Sequence, residues 1–128
     1  MIKKLAPVLV VDRIEPLLPL WKALGFTATA EVPHGDALGF VILVRDSVEV
    51  MYQTVDSVRA DDAKAVEGNR PLGGAAALFF EVDDLEAIAA QIPRGTDVLI
   101  ERRKTFYGST ETIFRDGAGN VITFAQFS

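Results

Sequence analysis

The sequence predicts an α+β fold in which one βαβββ unit occurs twice. Three observations carry that prediction. The chain repeats a short signature once. Strand and helix patterns follow each other in the same order on both sides of a glycine-rich middle. The 128 residues, 49% hydrophobic and 24% charged, suffice for one domain with a real core.

The repeat is Val11-Asp12-Arg13-Ile14-Glu15, matched 71 residues later by Val82-Asp83-Asp84-Leu85-Glu86. Each copy follows an apolar run and precedes a helical pattern. In each, an aspartate stands three residues before a glutamate, the spacing of a capping box at a helix start. A second echo follows in the same order: Arg45-Asp46 and Arg115-Asp116 both end an apolar strand and enter a turn.

Each element has its own reason. Lys4 to Val11 is apolar and β-branched, so it reads as a strand. Ile14 to Leu24 places Leu17, Leu18, Leu20, Trp21 and Leu24 at helical spacing, with Pro19 expected to shorten or kink it and Gly25 to stop it. Phe26 to Val32 alternates as a strand, and Pro33-His34-Gly35-Asp36 is a turn. Ala37 to Val44 and Val48 to Gln53 are two further strands. Asp56 or Ser57 opens a short helix to about Val66, followed by a linker over Gly68 to Gly74. The order then recurs: strand Ala75 to Val82, helix Leu85 to Ile92, strand Asp97 to Arg103, loop Thr105 to Gly108, strand Ser109 to Arg115. The turn Asp116-Gly117-Ala118-Gly119-Asn120 leads into the last strand, Val121 to Phe127. The expected organisation is a single domain, 1–128. It comprises a first module at 4–54, a helix and linker at 55–74, and a second module at 75–127.

Composition excludes some chemistry. There is no cysteine, which removes disulfides, thiolate metal sites and a cysteine nucleophile. The formal charge is −5, which disfavours a phosphate backbone as partner. The expectation is no nucleic acid and no membrane partner, a cytoplasmic setting, and a small-molecule ligand, with a cation favoured.

Several segments together resemble the vicinal oxygen chelate superfamily, also called the glyoxalase/bleomycin-resistance/dioxygenase superfamily. These are Val10-Val11-Asp12, Trp21-Lys22-Ala23-Leu24-Gly25-Phe26, Glu81-Val82-Asp83-Asp84-Leu85, and Tyr107-Gly108 followed by Phe114 to Val121. The resemblance implies a curved mixed sheet around a concave pocket, commonly paired in a homodimer. It also implies four metal-ligand places, on the first and last strands of each module. Those places fall at Ala6 and Glu49 in the first module and at Ala77 and Thr123 in the second. Divalent metals in such sites take imidazole and carboxylate ligands. Two alanines, one threonine and one glutamate do not supply them, and the sole His34 sits in a turn. The expectation is no metal and no cofactor. The branch this favours is the metal-free, drug-sequestering one that resembles bleomycin-resistance proteins.

Strand alternation then names a lining. Candidate ligand contacts are Val8, Glu49, Met51, Gln53, Phe79, Phe106, Tyr107 and Thr123. Each also has a plainer reading. Glu49 can be a solvated strand carboxylate. Met51 and Phe79 read first as core, and Phe106 and Tyr107 as simple packing or as the cap of a pocket. Arg102-Arg103-Lys104 reads as a solvated strand end, or as an anion contact at a pocket mouth. Trp21 reads as core. An alternative function is an enzyme of the same fold, with Glu49 as general base and Tyr107 as acid or oxyanion donor. Another is a structural or regulatory dimer whose pocket is filled.

Overall fold

The computed structural model describes residues 1–61, 64 and 76–128. The chain divides into two compact units, Met1–Gly74 and Ala75–Ser128.

In the first unit β1 is Val8–Val11, followed by a 3-10 turn Glu15–Leu17 and helix α1, Leu18–Ala23. Strands β2 (Thr27–His34), β3 (Ala37–Arg45) and β4 (Val48–Thr54) lead to α2, Val55–Asp61. The sheet order is β1-β4-β3-β2, with β1 parallel to β4 and the other pairs antiparallel. The second unit repeats this with β5 (Ala77–Glu81), α3 (Leu85–Ala89), β6 (Val98–Lys104), β7 (Ser109–Arg115) and β8 (Val121–Phe127), in the order β5-β8-β7-β6. Two mixed four-stranded sheets of identical topology make this the α+β, twice-βαβββ architecture expected from the repeat.

The differences from expectation have local causes. The first strand starts at Val8 rather than Lys4, because Pro7 has no N–H for a ladder and contributes only its carbonyl, to the Met51 N–H at 3.0 Å. The helix expected over Ile14 to Leu24 is two pieces. Pro16 and Pro19 each stand within the first two positions of their piece, where a missing N–H is harmless. The helix expected to reach Ile92 ends at Ala89. The Gln91 and Ile92 N–H groups bond three residues back, and Pro93 follows. The capping boxes do not form. Asp84, not Asp83, caps α3 by accepting from the Ala87 N–H at 3.1 Å. Glu86 turns to Arg102, and Glu15 accepts the Leu38 N–H at 2.7 Å. Helix α2 starts earlier than expected, because Thr54 Oγ1 accepts the Ser57 N–H. Its expected continuation to Val66 and the Gly68 to Gly74 linker lie outside the described residues.

The helix face of the first sheet carries Leu9, Val11, Val41, Leu43, Val50 and Tyr52, all buried. Leu17, Leu18, Leu20, Trp21 and Leu24 are buried as well. The Trp21 Nε1–H donates to the Tyr52 hydroxyl at 2.9 Å, and its ring meets Phe26 edge-on at 4.9 Å. In the second unit Leu85, Phe114, Ile122 and Phe124 are buried, with Phe80 and Phe114 rings against Phe124 at 5.5 and 5.2 Å.

The turn before β8 is tied by one aspartate. Asp116 accepts from the Ala118 and Asn120 N–H groups and from the Asn120 amide, while Gly117 and Gly119 supply φ of 97° and 91°. Asn120 in turn accepts the Ala76 N–H and anchors the entry to β5. Among the described residues no helix is long and apolar enough to cross a membrane.

Candidate ligand-binding surface

Each sheet has a second face, opposite its helix. In the first unit it carries Val8, Val10, Phe40, Ile42, Glu49, Met51 and Gln53, half-buried except for the exposed Val8. Strand pairing sets Val8 beside Met51 and Val10 beside Gln53. Of the predicted contacts, Val8, Glu49, Met51 and Gln53 therefore share one face. Two of them are already engaged. Glu49 accepts from Lys4 Nζ at 2.6 Å, and the Gln53 amide donates to Ser57 Oγ at 3.1 Å.

In the second unit the open face is built from cross-strand rows. Phe79, Thr123 and Ile113 form one row. Glu81, Ala125, Glu111 and Arg103 form the next, and Phe127 pairs with Ser109 beyond it. The tight loop between β6 and β7 sets Phe106 and Tyr107 beside these rows. It is closed by the Thr105 N–H to the Ser109 carbonyl at 2.9 Å, and Gly108 adopts φ of 91°.

The result is a run of four aromatic rings. Phe106 meets Tyr107 at 5.0 Å, Tyr107 meets Phe127 at 6.3 Å, and Phe127 meets Phe79 at 6.4 Å. All four are exposed: 99% for Phe106, 44% for Tyr107, 42% for Phe127 and 56% for Phe79. The plain core reading of Phe79 is thereby corrected: its ring stands outside, because strand alternation turns Phe80 to the helix side instead.

Beside the rings lies a buried carboxylate. Glu111 is 1% exposed. One of its oxygens accepts from Arg103 Nε at 3.2 Å and Nη2 at 3.0 Å. The other accepts from the Tyr107 hydroxyl at 2.5 Å and Ser109 Oγ at 3.1 Å. Burial pushes the Glu111 carboxyl up, but the hydrogen bonds from Tyr107, Arg103 and Ser109 outweigh it and hold the group below the ordinary glutamate range. Glu111 hydrogen bonding in turn raises Arg103.

The basic cluster is an exposed strand end, but its two arginines are paired. Arg103 pairs with Glu111. Arg102 pairs with Glu86 through Nε at 2.7 Å and Nη2 at 2.9 Å, and donates to Thr112 at 2.7 Å. Glu111, Ser109 and Phe127 were not among the predicted contacts, and Arg103 entered only as part of a basic cluster with an anion contact as its alternative reading. A signal existed: Ser109, Glu111 and Ile113 alternate along one strand, and Phe127 continues the Thr123, Ala125 face.

The pairing register also revises the metal-ligand places. Val8 pairs with Met51 as Phe79 pairs with Thr123, so the first-module equivalent of Thr123 is Met51 rather than Glu49. Ala6, Met51, Ala77 and Thr123 offer no imidazole and no carboxylate, and the nearby Glu49 is bound to Lys4. Among the described residues no three His, Cys, Asp or Glu side chains gather. These residues do not fit the superfamily's metal.

Two repeated βαβββ modules, each with a helix-covered and an open sheet face, define the class. The chain belongs to the Glyoxalase/Bleomycin resistance protein/Dioxygenase superfamily, which matches residues 5–124. Solved structures share the fold over nearly the whole chain. A bleomycin resistance determinant encoded on the transposon Tn5 is 15% identical, with 99% of each chain covered and a TM-score of 0.67. TioX from Micromonospora sp. ML1 is 15% identical, with 98% of this chain and 99% of that one covered and a TM-score of 0.76. A lactoylglutathione lyase from Agrobacterium tumefaciens is 15% identical, with 97% and 92% covered and a TM-score of 0.74. At such identities the likeness is one of fold. No curated protein sequence matches the chain.

Proposed function

We propose that this chain is a small-molecule-binding protein of the drug-sequestering kind, which holds its ligand without a metal and without turning it over. The exposed run Phe106, Tyr107, Phe127 and Phe79 carries the reading. Burying one such ring stabilises by about 1.5–3 kcal/mol, so four rings left in water on one face are a cost that ligand contact removes. Aromatic rings accept planar and cationic groups alike. The likeness of fold to a bleomycin resistance determinant supports the same reading. The poor metal donor set on the four equivalent positions removes the Lewis acid that the superfamily's metal chemistry needs. The resemblance further favours two chains paired in a homodimer, with both modules of each chain acting as one domain.

Isothermal titration calorimetry tests this with bleomycin and a panel of planar aromatic drugs, in the presence and absence of EDTA. Binding that survives EDTA and weakens at least tenfold in Phe127→Ala supports the proposal. A tightly bound divalent ion whose removal abolishes binding overturns it. Native mass spectrometry of the same samples reports whether the binding species is a dimer.

A further inference from the structure

We infer that the aromatic run selects ligands bearing an anionic group, a carboxylate on a planar aromatic ring system, with Arg103 as the residue that recognises it. This inference rests on the small-molecule reading above and names its ligand class. The ion pair beside the rings turns only one of its ends outward. Glu111 and Arg103 are cross-strand partners, and their charges cancel as a pair. Their exposures differ sharply: the Glu111 side chain is 1% exposed and the Arg103 side chain 47%. The negative end is inside, under Tyr107 and Ser109, and the positive end meets solvent.

The guanidinium is also placed for recognition. Its bonds to Glu111 use Nε and Nη2 and leave Nη1 out of them. A planar guanidinium fixed by one carboxylate is pre-organised to donate to a second. Tyr107 shares Glu111 with Arg103, so the second ring of the run and the cation are held by one buried acceptor. A ligand whose ring lies along Tyr107 and Phe127 brings a carboxylate substituent to Arg103. Lys104, the next residue on β6, alternates to the other sheet face, and the exposed Glu81 stands three strands from Arg103 at the far end of the same row, so Arg103 is the exposed charge of that row nearest Tyr107.

The whole-chain charge of −5 favours a cation instead. That field acts at long range and is screened beyond about 8–10 Å at ordinary salt. At contact, the local exposed charge decides. Glu111 is here a positioning residue: it touches Arg103 and Tyr107 and is itself covered.

The experiment is a charge series on one ring system, by isothermal titration calorimetry on the intact chain. The probes are 2-naphthoate, neutral 2-naphthalenemethanol and protonated 2-naphthylmethylamine. The expected result is that naphthoate binds at least tenfold tighter than the ammonium probe, and that the preference weakens with added salt. In Arg103→Gln the preference falls to about threefold or less, while the neutral alcohol keeps its affinity. Should Arg103→Gln fail to fold, the wild-type series decides alone. Equal binding of all three probes, or tightest binding of the ammonium, overturns the anion inference and leaves the small-molecule reading standing. Binding of none of them overturns both.

Discussion

Replacing Glu111 is the sharpest test of the buried network. Glu111→Gln keeps shape and removes charge. Its amide oxygen can still accept from Arg103, and its amino group can donate to the Tyr107 and Ser109 hydroxyls, which rotate to accept. What is lost is the charge-assisted part of four hydrogen bonds. A hydrogen bond to a charged group contributes about 1.5–3 kcal/mol, and four on one carboxylate are far from additive. Arg103 is half exposed, so water takes up its charge, and the full penalty of an orphaned buried ion does not apply. The expected cost is about 2 kcal/mol. Glu111→Ala also leaves two hydroxyls without their acceptor and opens a void, for about 3–4 kcal/mol. At this chain length each kcal/mol moves Tm by about 3–5 °C, so the two variants drop by roughly 8 and 14 °C.

The pH dependence has a definite sign. The folded Glu111 carboxyl lies below its ordinary value of 4.5. Its contribution is therefore fully present above 4.5 and is lost as pH falls through the lower folded value. Differential scanning calorimetry of wild type and Glu111→Gln between pH 7 and pH 3 reads both effects. The gap in Tm should hold down to about 4.5 and narrow below it. A gap under 1 °C at neutral pH, or one that widens in acid, refutes the reasoning.

The remaining predictions concern the scaffold. Trp21→Phe removes the buried donor to the Tyr52 hydroxyl and should cost about 1–3 kcal/mol in urea unfolding. The double variant with Tyr52→Phe should cost less than the two singles together, because both singles break the same hydrogen bond. Asp84→Ala removes the side-chain cap of α3 and should cost about 1 kcal/mol, whereas Asp83→Ala, at the position the capping-box spacing picks out, should change stability little. Asp116→Ala strips three hydrogen bonds from the turn before β8. It should speed amide exchange at Ala118 and Asn120 by at least tenfold, measured by hydrogen–deuterium exchange.

Much of the fold is written in local pattern. Alternation along Ala77 to Glu81 sends Leu78 and Phe80 one way and Ala77, Phe79 and Glu81 the other, and the exposures follow. The 71-residue offset of the repeat makes Ala6 the counterpart of Ala77 and Val8 the counterpart of Phe79. The candidate surface is less legible. Phe79, Phe106, Tyr107 and Thr123 were all within reach of sequence reasoning, because hairpin and strand periodicity bring them near one face. Glu111 looked like any strand glutamate, and Arg103 like a solvated strand end.

The twofold modular architecture was already fixed by the amino-acid pattern, since period and turn chemistry are local properties. The tertiary structure was needed to show that Met51 rather than Glu49 holds in its own sheet the register position that Thr123 holds in the other, because register belongs to a pair of strands and not to either one. Tertiary structure likewise decided the charge of the open face. Glu111 and Arg103 lie eight positions apart on neighbouring strands, and which of them is covered depends on the Tyr107 loop that folds over the carboxylate and leaves the guanidinium to water.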